Sequence, residues 1–307
     1  MQDIEKAREM AQKAWSDMAT RDAGRRISYP MRSKKIIEAY IWKEPKGCFV
    51  AEKCESIVGA AYSHVWGKLG WIGPIEVLPE FQNRGIGRAL LSECEDFLRR
   101  SGCETIGIET MSHLPKNLHF YLSNGYRPDA LTVIAEKPLT QKQQVRLQEY
   151  NEIEEIKHDP ISIREAVRRI GSKISDGLDP FKDIEMIVER KLGSVFVWRM
   201  KRQIIGFGLL HTYLKDEEGD YASIRVILVD PDYIGSEIGF DALVRTCENE
   251  SLMNGKKRIF ARFPVINDLI YKKMAMNGYV IKGANIRMFK GSSFNQRGDY
   301  TILSLAG

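Results

Sequence analysis

The sequence predicts an α/β (α+β) protein of two tandem domains, each with a mixed, mostly antiparallel twisted sheet flanked by helices. With 307 residues, the chain has the length of two domains. Each half begins with two helical patterns and continues with strand-like runs that are separated by hairpin turns. The second half repeats the element order of the first. The period is too long for a solenoid, which indicates a duplicated domain.

In the first half, apolar spacing and turn residues place each element. Apolar residues three and four apart predict helices, and short apolar runs between turn residues predict strands. The predicted elements are helices at 4–20 and 33–42, strands at 48–52, 57–65 and 71–77, a helix beginning at Gly85, a strand at 105–109, a helix at 116–124 and a strand at 131–135. Gly125 ends the last of these helices as a left-handed cap.

The second half follows a polar stretch rich in Gln and Glu. We therefore predict a first domain at 1–138, a linker at 139–160 whose residues 145–150 could still pair as a strand, and a second domain at 161–307. Short words support the repeat: VLPEF at 77–81 matches VDPDY at 229–233, and NGY at 124–126 recurs at 277–279.

Composition bounds the function. The chain is 43% apolar and 28% charged, has a net charge of +5 spread along its length, and contains no apolar run long enough for a membrane span. We therefore expect no membrane or nucleic-acid partner. The five cysteines form no metal-binding spacing, and no secretory signal is visible, so we expect reduced thiols, a cytoplasmic location and no bound metal.

The turn QNRGIG at 82–87 lies between a predicted strand and the mouth of a helix. Unpaired N–H groups and the helix dipole favour an anion there, and glycine allows close approach to the backbone. The turn is not a dinucleotide fingerprint, because Leu90 stands where a third glycine is expected, and no Gly-Lys-Ser/Thr follows as in a P-loop.

With Val77 and Pro79 before it, and Gln82, Gly85 and Gly87 within it, this stretch resembles the acyl-CoA motif of the GNAT family of N-acetyltransferases. The resemblance covers roughly residues 35–137 well and the second half in outline. It implies acetyl-CoA as cosubstrate, with the pyrophosphate on the turn and the pantetheine arm along strand 75–77, where a backbone N–H polarises the thioester carbonyl. The implied cofactor-binding residues are Ile75, Val77, Gln82, Asn83, Arg84, Gly85, Ile86, Gly87, Arg88 and Asn117.

Two catalytic residues follow from the same resemblance. Tyr121, four residues before Gly125, matches a tyrosine that protonates the departing thiolate, and Glu109 matches a glutamate that acts as general base. Glu76 is the second candidate base. The alternatives are a core aromatic for Tyr121 and, for Glu109, a strand-end carboxylate that faces solvent or pairs with an arginine. One departure is Leu114, where the family often has an asparagine that contacts the CoA arm. Asn117 is the candidate substitute.

The second half lacks these residues. Ile234, Glu237, Arg262 and Met274 replace Gln82, Gly85, Glu109 and Tyr121, while Asn267 supplies the asparagine that the first half lacks. A carboxylate in the first helical turn repels a pyrophosphate, so the pattern predicts a degenerate copy without a cofactor site. The alternative is an alignment shifted by a few residues, with Tyr271 as the relevant tyrosine.

These observations favour an N-acyltransferase that transfers an acetyl group to a primary amine of unknown identity by direct attack. The alternative is a non-catalytic CoA-binding sensor or scaffold protein. The first half also lacks the opening strand usual in this family. We expect it to begin with helices, or residues 300–305 to cross over and fill that edge of the sheet.

Overall fold

The computed structural model describes residues 2–140, 152–212, 219–266 and 268–304. Its helices are α1 (Gln2–Ala23), α2 (Lys34–Lys43), α3 (Ile86–Arg100), α4 (Pro115–Ser123), α5 (Arg164–Ile174), α6 (Phe181–Arg190), α7 (Ser236–Met253) and α8 (Asp268–Met276). Its strands are β1 (Cys48–Lys53), β2 (Ser56–Trp66), β3 (Leu69–Val77), β4 (Thr105–Met111), β5 (Arg127–Pro138), β6 (Ile153–Glu155), β7 (Gly193–Met200), β8 (Gln203–His211), β9 (Tyr221–Val229), β10 (Arg258–Pro264), β11 (Val280–Gly291) and β12 (Ile302–Leu303).

The predicted elements of the first half are present with small shifts at their ends. Gly125 has φ +86° after α4, and Gly278 has φ +88° after α8, as left-handed caps require. The strand predicted at 131–135 is longer, because both of its edges find partners in the second half. Part of the predicted linker forms β6, which pairs with β7. The strand considered at 145–150 lies outside the described residues.

Both halves contribute to one sheet with the order β1-β2-β3-β4-β11-β5-β10-β9-β8-β7-β6, while β12 pairs with β9. The halves exchange strands: β11 of the second half pairs antiparallel with β4 and β5 of the first, and β5 pairs antiparallel with β10 of the second. The sheet is mixed and mostly antiparallel, as predicted, but it is continuous across the two halves.

Two parallel strand pairs in this sheet separate along their length. β3 pairs with β4 only from Leu69 to Trp71, and β9 pairs with β10 only from Tyr221 to Ile224. Beyond these positions the strands diverge and leave a gap in the sheet. We call the gap between β3 and β4 the first wedge and the gap between β9 and β10 the second wedge.

The two faces of the sheet carry different helices. One face bears α1, α2, α5 and α6, and its apolar core contains residues from both halves, such as Ile36, Trp71, Ile170 and Phe207. The other face has two separate cores, one beneath α3 and one beneath α7. We call the face that bears α1, α2, α5 and α6 the shared face, because residues of both halves form its core.

The first half begins with helices α1 and α2, as expected, and β1 forms the edge of the sheet. The crossing predicted for residues 300–305 is wrong for the part that is described. β12 pairs with β9 in the second half, with Ile302 opposite Ile227 and Leu303 opposite Val226. The exchange of β5 and β11 links the halves instead.

Candidate active site

The first wedge exposes the inner edge of β3. Leu78 donates its N–H to Val58 of β2 at 2.9 Å, and Glu76 lies opposite Ala60. Main-chain groups alternate in direction along an antiparallel strand, so the N–H and C=O groups of Ile75 and Val77 point away from β2 and into the wedge. An extended amide-bearing ligand can pair there as an added strand.

A bulge in β3 opens this wedge. The register with β2 shifts between Ala61 and Ser63, which leaves Gly73 and Pro74 without regular partners. The His64 ring contacts the Gly73 carbonyl through Nε2 at 2.9 Å. Burial and the nearby Lys43 ammonium lower the pKa of His64 to about 3, so the neutral ring donates this hydrogen bond and fixes the bulge.

The turn after β3 is a cradle of free amides. Asn83 and Gly85 have φ values of +59° and +83°, which turns successive N–H groups toward one side. In the described part of the chain, the N–H groups of residues 83–88 donate no hydrogen bond, and the first helical bond comes from Ala89 to the Gly85 carbonyl at 3.0 Å. A phosphate can accept from these N–H groups, since the site is open to solvent and lies at a helix N-terminus.

Gln82 connects the cradle to its neighbours. Its amide nitrogen donates to the Val77 carbonyl at 3.0 Å, and its amide oxygen accepts from Lys116 Nζ at 2.6 Å. Gly87 lies under the Phe120 ring, where an added Cβ would be 3.6 Å from the nearest ring carbon. The cradle is therefore held against both β3 and α4.

The surroundings of the cradle are basic. Arg84 and Arg88 are exposed, and the Arg84 guanidinium lies over the Phe81 ring at 5.5 Å. Neither side chain forms an ion pair in the described residues. Both charges are therefore available to a phosphate group in addition to the amides.

Tyr121 lies on α4, half-buried, with its ring 5.0 Å from Phe120 and 5.8 Å from Tyr126. Its hydroxyl has no hydrogen-bond partner among the described residues, and it is not among the fully buried polar atoms. Burial, with a smaller contribution from Cys94, raises the pKa of Tyr121 to about 12. The phenol therefore keeps its proton at neutral pH and can donate it to a leaving group.

The Glu109 side chain is buried on the shared face of the sheet. Its side chain is fully buried and pairs with the fully buried Arg287 of β11, with Arg287 Nη2 3.2 Å and Nε 3.3 Å from Oε1. Its second oxygen, Oε2, is buried without a partner among the described residues. A buried acceptor without a partner is costly. Oε2 is therefore the carboxylate oxygen that is available to accept a hydrogen bond or a proton.

Both carboxylate oxygens of Glu76, the other candidate base, accept hydrogen bonds. Trp15 Nε1 donates to Oε1 at 2.6 Å, and Arg32 donates to Oε1 at 2.8 Å and to Oε2 at 3.3 Å. Burial opposes the charge of Arg32, but the adjacent Glu76 carboxylate outweighs it and raises the Arg32 pKa. Glu76 thus anchors α1 and the loop before α2 to β3.

Asn117 lies in the first turn of α4 and is half-buried. Its side chain forms no hydrogen bond with the described residues, whereas its N–H donates to the Leu114 carbonyl at 3.1 Å. The amide is therefore free to contact a ligand, as its proposed role requires.

The second wedge has the same frame. Val77 lies opposite Gly59, and Val229 lies opposite Gly206, so Ile227 corresponds to Ile75. β12 pairs with β9 at Val226 and Ile227, and both of its residues are fully buried. The chain's own strand therefore occupies the edge that is free in the first wedge.

The second turn also differs from the cradle. Ile234 is 96% exposed, and Gly235 adopts φ +96° at the helix start. Glu237 lies in the first turn of α7 and pairs with Lys273, which lowers the Glu237 pKa. Ser236 donates its N–H to the Tyr233 carbonyl at 3.1 Å. The turn thus carries its own anion, already paired.

The remaining equivalents follow the predicted alignment. Met274 lies four residues before Gly278, as Tyr121 lies before Gly125, and it is buried in the core beneath α7. Tyr271 is 41% exposed on the outside of α8. Arg262 is half-buried on β10, and Asn267 lies outside the described residues.

Sequence reasoning missed the partners of the two carboxylates. Arg287 is 178 positions from Glu109, and Arg32 is 44 positions from Glu76. No local pattern marks either arginine, since each becomes a partner only when distant strands or helices pack. An unpaired carboxylate in a predicted core strand was the available signal, because a buried charge needs a counter-charge.

Comparison with known proteins agrees with this geometry. Residues 8–126 match the model of the acetyltransferase (GNAT) family, which confirms the resemblance noted for the first half. That stretch contains most of α1, the helices α2 to α4, the first wedge and the cradle. The match supports acyl-CoA-dependent N-acyltransferase chemistry in general.

Solved structures share the fold over nearly the whole chain. A protein from Pyrococcus horikoshii, provisionally described as an acetyltransferase, has a TM-score of 0.69 at 19% identity and covers 99% of this chain and 92% of its own. A tandem GNAT protein from the clavulanic acid biosynthesis pathway has a TM-score of 0.54 at 13% identity, with 95% and 97% covered. Saccharomyces cerevisiae N-myristoyltransferase has a TM-score of 0.62 at 11% identity, with 96% and 76% covered.

At these identities the likeness shows the fold alone. The chain has the tandem GNAT fold. No curated protein sequence matches the chain significantly. Among the described helices, none combines the length and the apolar character that a bilayer crossing needs.

Proposed function

We propose that this protein is an acyl-CoA-dependent N-acyltransferase that uses acetyl-CoA, with the active site in the first half. The observation that carries the proposal is the free inner edge of β3, which leads directly into a cradle of unpaired amides. These two features fit a ligand with amides in an extended arm and a pyrophosphate at its end. Tyr121, with its free hydroxyl, belongs to α4 beside the cradle.

In this proposal the cofactor-binding residues are those named from the sequence. The amides of Ile75 and Val77 pair with the pantetheine arm, the amides of residues 83–88 hold the pyrophosphate, and Arg84 and Arg88 bind the remaining phosphate charge. Asn117 contacts the arm through its free side chain. Bound acetyl-CoA supplies an acyl group activated as a thioester.

Tyr121 and Glu109 divide the proton transfers. An amine must lose a proton to attack, and we assign that proton to Glu109 Oε2 or to a water that it orders. Tyr121, which is protonated at neutral pH, donates its hydrogen to the leaving thiolate. A donor N–H at β3 stabilises the negative charge on the acyl oxygen. Glu76, with both oxygens engaged, serves to position α1.

A non-catalytic CoA-binding protein is the second candidate, and one observation favours it. Both candidate bases are buried in ion pairs with arginines, so neither presents an exposed carboxylate to an incoming amine. On this hypothesis the chain would bind CoA and acylate nothing.

The two functions separate in one experiment. CoA is added to the purified protein in a thermal unfolding assay, and acetyl transfer is measured with a panel of amines that includes amino acids, polyamines and peptides. Ligand linkage raises Tm in both cases. Transfer to any amine favours the enzyme, CoA binding without transfer favours the second candidate, and no shift with CoA contradicts both.

We also propose a cytoplasmic location. None of the five cysteines forms a disulfide, and three of them, Cys94, Cys103 and Cys247, are buried. Fractionation of the native host would test this proposal.

A further inference from the structure

Two arginines lie at the vertex of the second wedge. Arg225 and Arg262 are the residues that follow Ile224 and Ala261, the last paired positions of β9 and β10. Arg225 lines a cavity with Trp66, Leu209 and Leu303, which belong to the core of the shared face. Arg262 follows Ala261 of the core beneath α7, so its side chain projects to the shared face as well. Arg225 and Arg262 are thus neighbours on adjacent strands and point to the same side.

Within the part of the chain that the structure describes, neither arginine has a side-chain partner. Each is half-buried, and neither forms an ion pair or side-chain hydrogen bond with the described residues. Arg258 on the same strand and face shows the ordinary situation, since it pairs with Asp220 at 2.6 Å and Glu136 at 3.4 Å. A guanidinium that is partly removed from water and gains no anion destabilises the fold. Two such groups side by side therefore suggest that an anion binds between them.

The two charges also oppose each other. Burial, and the positive charge of Arg262, lower the pKa of Arg225, while Tyr40, Asp183 and Glu109 act in the opposite direction. Asp183 is already paired with Lys43 and accepts from Trp66. An oxyanion between the arginines would compensate both burial and repulsion.

This pair lies beside the site proposed for the amine. Glu109 and Arg287 project to the same shared face, and β12 links them to Arg225: Arg287 donates to the Leu303 carbonyl at 2.8 Å, and Ser304 N donates to the Arg225 carbonyl at 2.8 Å. A small cavity at Arg225 measures about 10 Å³, which is room for about one water.

We propose that the acceptor is an anionic amine, whose carboxylate or phosphate is bound by Arg225 and Arg262 while its amino group lies at Glu109. The inference rests on the N-acyltransferase function proposed above. It assigns to the second half a role in substrate selection: the half that has lost the cofactor turn holds the acceptor's charge.

Direct anion binding tests the site without activity. Inorganic phosphate and acetate are added to the full chain in thermal unfolding assays, with sodium chloride at equal ionic strength as reference. We expect stabilisation by at least one of them that is lost in Arg225→Gln and Arg262→Gln and kept in Arg258→Gln. Equal stabilisation in all variants, or none in the unmodified protein, would overturn the proposal.

Kinetics test the role in substrate choice. The acceptors form matched sets of three amines: an amino acid, the aminoalkyl phosphate of the same chain length, and the amine of that length without an anionic group. We expect Arg262→Gln to raise KM for the anionic acceptors by roughly 10- to 100-fold, with little change in kcat and none for the neutral amine. The preferred anion distinguishes carboxylate from phosphate.

A loss that is equal for anionic and neutral amines would show a structural role and refute the inference. If CoA binds but no amine is acylated, the proposed function fails, and the anion-binding assay still decides whether the arginine pair is a site.

Discussion

In the first wedge, the main-chain groups of Ile75 and Val77 face away from β2 and pair with no neighbouring strand, and the Val77 carbonyl accepts from the Gln82 side chain. In the second wedge, β12 pairs with β9 at Val226 and Ile227. The frame is the same, with a parallel strand pair that separates, a turn and a helix. Unpaired main-chain groups are costly away from water, so an open wedge needs either a ligand or a strand. The second wedge has its strand from the chain itself, and the first is left for a ligand.

The turns repeat this contrast. The cradle at residues 83–88 offers free amides and two exposed arginines, while the second turn holds Glu237, which is already paired with Lys273. The two halves thus share the arrangement of the sheet and differ in the groups that their turns present. Arg262 also stands where the first half has Glu109, which is the position used in the role proposed for the second half.

The largest expected effect concerns the tyrosine that only the first half has. We expect Tyr121→Phe to lower kcat by roughly 100-fold or more, because the leaving thiolate loses its proton donor, with CoA affinity unchanged. Tyr271→Phe, an exposed position on α8, is the control and should keep full activity. Steady-state kinetics with any accepted amine measure both. Full activity of Tyr121→Phe would contradict the assigned role.

The exchanged strand gives the next effect. Arg287→Met should lower the free energy of unfolding by about 3–5 kcal/mol, because it leaves the buried Glu109 carboxylate without a counter-charge. Urea unfolding measures this change. Adding Glu109→Gln should recover part of the loss.

Arg258→Met is the matched control, since its ion pairs are partly exposed and we expect about 1 kcal/mol or less. Equal losses in both single variants would mean that the link between the halves does not depend on the buried pair.

A carboxylate placed in the cradle, as in the second turn, should weaken CoA binding to the first half. We expect Gly85→Glu to weaken CoA binding by about 100-fold, since a charge about 5 Å from a phosphate costs about 3 kcal/mol at an effective dielectric constant near 20. Gly85→Asn, which tolerates the positive φ without a charge, should bind nearly normally.

Titration calorimetry also gives the number of sites. Because β12 fills the second wedge, we expect one CoA per unmodified chain. Two sites, or strong binding to Gly85→Glu, would break the contrast between the wedges.

A further expected effect is a pH dependence from the two buried histidines of β2 and β8. Burial, with nearby positive charge, lowers the pKa of both His64 and His211 to about 3, against about 6.5 in the unfolded chain. The unfolded chain therefore binds more protons below pH 6.5. Stability should be full above pH 6.5 and fall toward pH 4 by about 1.4 kcal/mol per pH unit for each histidine.

Urea unfolding between pH 7 and pH 5 measures this slope. His211→Leu should reduce it, whereas His119→Ala, at an exposed position, should not. A slope that is the same in all three proteins would assign the acid sensitivity to other groups.

Much of the local structure around the candidate site was readable from the sequence. The turn from Gln82 to Gly87, the helix that follows it and the glycine that ends α4 depend on residues close together in the chain. Local rules are sufficient there, because backbone conformation and apolar spacing are set within a few residues. The repeat was visible for the same reason.

The partners of distant strands were not readable. The sequence predicted a strand near residues 131–135 but not that it would pair with β10 and β11, and it suggested a crossing by residues 300–305 that β12 does not make. Both edges of a strand satisfy the same local pattern. Which edge pairs is decided by the packing of the whole sheet.

By itself, the sequence determined the element order, the repeated arrangement of the two halves and the glycine turn at the start of α3, since each follows from neighbouring residues. Only the tertiary structure decided that the halves exchange strands, that Arg287 of one half neutralises Glu109 of the other, and that β12 closes the second wedge. These features join residues far apart in the chain. Buried charges and unpaired strand edges must be satisfied, but the sequence does not say by which distant group.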